Sequence, residues 1–101
     1  MVNSIGDTLK KVRELKGIYL QLVADKTGIN ISILSRIENH KRMPTREQVI
    51  LLSRFYKEEE NDIIIAWLSD KIVNEMQNES LALQAMQVAE EKIKYITKFK
   101  K

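Results

Sequence analysis

"TGINISILSRIENHKRMP" (residues 27–44) decides how this chain folds. Asn30 suits a helix N-cap, and Ile33, Leu34 and Ile37 follow at helical spacing, so the stretch predicts a helix from Ile31 to Asn39. Just ahead of it, Gly28 ends the preceding apolar run "YLQLVADKTG". Between two helices that cross steeply one residue must take a positive φ, which glycine adopts without steric cost. Beyond "HKRMP" the pattern restarts at Thr45, whose hydroxyl and Gln48 form a capping box for a fourth helix.

Working outward, "SIGDTLKKVRELKG" (4–17) places Ile5, Leu9, Val12 and Leu15 at spacings of three and four, with Ser4 as cap and Gly17 as terminator. Val49, Leu52 and Phe55 give the fourth helix its inward face. The acidic run "KEEEND" (57–62) leads into "IIIAWLSDKIVNEM", with Asn61 as expected cap and Ile64, Trp67 or Leu68, Ile72 and Met76 as stripe. A last helix is predicted over Ser80–Lys98. Its apolar residues form two rows: Ala82, Met86, Ala89, Ile93 and Ile96, and beside them Leu81, Ala85, Val88, Tyr95 and Phe99.

With 101 residues, 3 Gly and 1 Pro, the chain suits one modest all-helical core. No apolar run approaches the roughly 20 residues that cross a bilayer, and "MVNS" lacks the order of a secretion signal, so a cytoplasmic location is expected. No Cys and one His support neither a disulfide framework nor a metal cluster. Without a nucleophile–base pair, a phosphate loop or H-E-x-x-H, no enzyme, cofactor or small-molecule ligand is expected. Charge is uneven: residues 1–56 hold 10 Lys/Arg against 5 Asp/Glu, whereas residues 57–101 hold 7 against 9. The basic half is the candidate polyanion binder, although lysine-rich helical surfaces also serve solubility alone.

Ala24, Gly28, Ile29, Leu34 and Ile37 form one constellation. A small Ala24 lets two helices touch, Gly28 turns the chain, and Leu34 with Ile37 seats the next helix on the core. Its opposite face is left free to enter a DNA major groove. From Ile5 to about Tyr56 the chain resembles the helix-turn-helix family of phage repressors and Cro proteins, also called the XRE family. The resemblance rests on "IGDTLKKVRELKGI", "VADKTGI", "SRIEN" and "MPTREQVILLS". It implies an all-α, five-helix lambda-repressor-like domain over residues 1–76; the additional C-terminal helix, over 77–101, follows from its own apolar spacing and is expected to pack on the domain. It further implies sequence-specific binding of double-stranded DNA at a pseudo-palindromic operator by a homodimeric regulator, a repressor in the first instance.

Family positions for base contact fall on Ile31, Ser32, Ser35 and Arg36. Ser32 and Ser35 offer hydroxyls, and Arg36 a fork for guanine. Ile31 either packs on a thymine methyl or turns partly into the core. Asn39, Lys41 and Arg42 are placed for phosphate, with solvated surface as the plain reading of the two cations. The resemblance also implies an internal ion pair between Arg13 and Glu38.

Two positions depart from the family pattern. Leu20 stands where many members have a phosphate-contacting Gln, which shifts that role to Tyr19 or to the amides of helix two. His40 stands where many have Gly, in a turn for which positive φ is expected. The wide apolar stripe of the last helix forms a dimer interface, with helix five around Trp67, or completes the core of one chain. Terminal "KFKK" adds phosphate attraction or frays. The rival from another class is a protein-interaction module that keeps the fold without reading DNA.

Overall fold

The computed structural model describes residues 4–99. The first three residues of "MVNS" and the last two of "KFKK" lie outside the described residues. Six helices follow in order: α1 (Ile5–Leu15), α2 (Leu20–Thr27), α3 (Ile31–Glu38), α4 (Arg46–Tyr56), α5 (Glu60–Met76) and α6 (Ala82–Phe99). No strand occurs among the described residues. The chain forms two compact units, Met1–Lys71 and Ile72–Lys101, so the division falls inside α5, ahead of residue 76.

In the first unit the caps arise from the residues at each start. Ser4 Oγ accepts from the Asp7 amide at 3.1 Å, and Asn30 Oδ1 accepts from the Ser32 amide at 2.8 Å. Thr45 and Gln48 close both halves of a capping box on α4. Gly28 takes φ 77°, and its N–H donates to Ala24 O at 2.9 Å, which ends α2 and releases the chain toward α3. α4 ends in the same left-handed conformation on Lys57, at φ 57°.

The core gathers Ile5 and Leu9 of α1, Val23, Ile29, Leu34 and Ile37 around the turn, Val49, Leu52 and Tyr56 of α4, and Ile63 and Trp67 of α5. Several expectations shift. Leu15 is exposed because the chain leaves α1 at Gly17 and inserts Ile18 against the core instead. Tyr56, not Phe55, is the buried aromatic of α4; the Phe55 ring packs edge-on against it, centroids 5.2 Å apart.

α5 begins at Glu60, which puts Asn61 inside the first turn rather than at the cap. Its buried stripe is Ile63 and Trp67, while Leu68 is exposed. The Trp67 indole fixes that rotation by donating from Nε1 to Pro44 O at 2.7 Å. One helical step further, Asp70 Oδ2 accepts the Ile5 amide at 2.7 Å and so gives α1 a second N-terminal acceptor.

In the second unit, α6 starts at Ala82 instead of Ser80. Ile72 and Met76 line an apolar groove with Ala85, Met86, Ala89 and Ile93. No residue of α6 is buried. No helix among the described residues is long and apolar enough to cross a membrane.

Candidate functional site

α3 is short, and its two faces differ sharply. Leu34 and Ile37 are buried in the core, and Glu38 is buried beside them. A buried carboxylate needs a partner, since removing it from water is costly. Arg13 of α1 supplies one through a two-pronged fork: Nε donates to Glu38 Oε2 at 2.8 Å and Nη2 to Oε1 at 2.9 Å. Its remaining prong, Nη1, donates to Ile18 O at 2.9 Å, so one guanidinium joins α1, the α1–α2 link and α3. Hydrogen bonding to Glu38 holds the guanidinium pKa above its ordinary value against the opposing effect of burial. The neighbouring Tyr56 phenol is pushed up to about 12, first by burial and then by the negative charge of Glu38.

Close approach of α1 and α3 depends on Gly6. It is buried, and a Cβ there would run into the Ile37 carbonyl oxygen. The end of α3 is held from the same side. The helix ends at Glu38, one residue before the predicted end, with Asn39 as C-cap, and His40 takes φ 63°. The His40 ring sits between Ser4 and Asp7, with Nδ1 3.0 Å from Ser4 Oγ and Nε2 2.8 Å from Asp7 Oδ1. The N-terminus of α1 therefore clamps the C-terminus of α3.

The outward face of α3 carries the residues expected to meet a partner. Ser32 and Arg36 are exposed, and Ser35 is half-buried. Ile31 is 37% exposed and outside the core cluster, one turn from buried Leu34, so it stands at the border between the two faces of α3. Ser35 Oγ accepts from the Asn39 side-chain amide at 3.3 Å, so these two polar groups are already aligned with each other.

Lys41 and Arg42 follow in the exposed turn. No carboxylate forms an ion pair with Arg36, Lys41 or Arg42 among the described residues. Three cations are thus available to an anionic partner. Tyr19 is 85% exposed at the start of α2, which has no side-chain cap, whereas Leu20 packs half-buried against the core.

Trp67 is not on an exposed surface. It is buried and bonded to Pro44, and a cation stands over its ring, with Lys71 Nζ 4.5 Å from the centroid. The exposed apolar residues around it on α5 are Ile65 and Leu68. Gly6, Asp70 and the Ser4–His40–Asp7 clamp escape sequence reasoning altogether, because their partners lie tens of residues away and no periodicity links them. Only the buried side of Gly6, one residue after Ile5 on the inward stripe, hints at its role.

A family model described as helix-turn-helix matches residues 9–63, more than half of the chain. No curated protein and no solved structure matches.

Proposed function

Since this chain belongs to the XRE-type helix-turn-helix family, whose members are DNA-binding regulators, we propose that it binds double-stranded DNA sequence-specifically and represses transcription. In this reading α3 lies in the major groove and the protein acts in the cytoplasm as a binding protein, not an enzyme. What supports it most directly is the division of α3: the core side is pinned by Leu34, Ile37 and the Arg13–Glu38 fork, and the other side presents Ile31, Ser32, Ser35 and Arg36.

Each outward residue then has a defined task. Arg36 offers a guanine two parallel N–H donors, and Ile31 favours a thymine methyl over any hydrogen-bonding edge. Ser32 donates or accepts at a base edge, and so does Ser35 through the lone pairs and proton left after its bond to Asn39. Lys41 and Arg42 meet phosphate together with Asn39, and Tyr19 or the uncapped amides of α2 take the contact that Leu20 cannot make. A homodimer on a pseudo-palindromic operator places two α3 helices about one DNA turn apart.

The test is selection of bound duplexes followed by titration of the winner against salt. A selected two-fold site and an affinity that falls steeply with rising salt are expected. Absence of duplex binding at low salt would instead favour a protein-interaction module built on the same fold.

A further inference from the structure

α6 has more apolar surface than its own unit uses. Met86, Ala89 and Ile93 line the groove shared with Ile72 and Met76. A second row, Leu81 just ahead of the helix and Ala85, Val88, Lys92, Tyr95 and Phe99 along it, recurs at steps of four and three and is exposed, with Ala85 also at the edge of the groove. Tyr95 and Phe99 already stack on this row, centroids 4.9 Å apart. The opposite side is polar, and there Lys94 Nζ lies 3.6 Å from Glu90 and 3.8 Å from Glu91.

Leu81, Val88, Tyr95 and Phe99 of this row, and Ile96 flanking it, are each between 53% and 67% exposed. Aromatic side chains offer about 150–250 Å² apiece and aliphatic ones less, so these five, each a little over half exposed, present on the order of 500 Å² per copy. With Ala85 and the Lys92 stem added, this nears the roughly 800 Å² per partner of a standard stable interface. It is also as large as the largest apolar patch of a typical soluble monomer, about 300–600 Å², which is often a functional surface.

We propose that α6 pairs with α6 of a second copy of this chain, in antiparallel orientation, through this row. The spacing carries the argument. Steps of four, three, four, three and four read the same in both directions about Glu90. Antiparallel pairing therefore sets Leu81 against Phe99, Ala85 against Tyr95 and Val88 against Lys92 of the other copy.

Small meets large at the Ala85–Tyr95 pair, as a dense interface requires. Lys92 lays its aliphatic stem along Val88 and keeps its ammonium in water. Parallel in-register pairing does the opposite: it sets Lys92 against Lys92, a like-charge contact, and Ala85 against Ala85, a gap. One lysine thus selects the orientation, as single polar residues do in helical seams.

This inference names the surface of the dimer assumed in the reading above, and it is tested without DNA, so its failure leaves DNA binding by single copies untouched. The full chain is expected to sediment as a dimer at micromolar concentration, and Val88→Glu as a folded monomer with unchanged helix content by circular dichroism. Orientation follows from cross-linking, because the chain has no cysteine of its own.

Ala85→Cys and Tyr95→Cys chains, mixed and oxidised, should join to each other and not to themselves. In the antiparallel pair, identical positions lie ten residues apart, about 15 Å along the axis, beyond disulfide reach. Monomeric wild-type protein, an unchanged Val88→Glu dimer, or disulfides formed between identical variants would each overturn the proposal.

Discussion

Arg13 and Glu38, 25 residues apart in sequence, meet through two parallel hydrogen bonds of 2.8 and 2.9 Å with side chains only 16% and 8% exposed. The pair fixes the inner face of α3 to α1. Arg13→Ala leaves a buried carboxylate without its fork and should cost about 3–5 kcal/mol of stability. Thermal melts followed by circular dichroism check this, and an unchanged melting temperature would refute the clamp. Arg13→Lys should fall in between, since a point charge cannot reproduce the fork.

Gly6→Ala tests how closely α1 and α3 approach. The added methyl meets the Ile37 carbonyl oxygen, which belongs to helical backbone and cannot swing aside. A destabilisation of about 1–3 kcal/mol is expected in chemical denaturation, as for other overpacked sites. In an exposed helix the same change should stabilise, because alanine is the better helix former, so the sign alone decides.

Tyr56 predicts an alkaline limit. Its phenol is raised to about 12 in the folded chain from an ordinary 10. A raised folded-state value means that the associated stability is fully present below pH 10 and is lost as pH climbs through about 12. Tyr56→Phe lacks this titration, so the stability of wild type relative to the variant should fall across that window. Parallel pH profiles for the two proteins would remove the assignment.

Arg36 and Arg42 should part company on DNA. Arg36→Ala is expected to cost about 1–3 kcal/mol and to relax preference at one position of the selected site. Arg42→Ala should weaken all sequences alike and lower the salt slope by about one. Uniform loss from Arg36→Ala would make it a phosphate contact as well.

The turn and both caps around α3 were legible in the sequence because they obey local rules. Gly28, Asn30 and Thr45 act on backbone groups two to four residues away, and their chemistry leaves few alternatives. Arg13 and Glu38 came from family likeness, not from spacing. Leu15 misled, and Trp67 and Leu68 remained alternatives, because periodicity finds an apolar stripe without saying where its neighbours end. The rotation of α5 rests on one hydrogen bond from Trp67 to Pro44, and His40 was assigned its turn but not its partners Ser4 and Asp7. Such contacts join distant parts of the chain, and only three dimensions reveal them.

The hydrogen bond from Ile5 to Asp70 makes the first unit a closed loop of chain. Its beginning and its end meet at one place, and through Ser4 and His40 that place adjoins the last turn of α3. Ile31 sits at the other end of that helix, about 10 Å from its last residue. The junction where a new segment would be grafted is thereby segregated from the leading turn of α3. Exchange of whatever follows Lys71 should therefore leave the outward face of α3 unaltered.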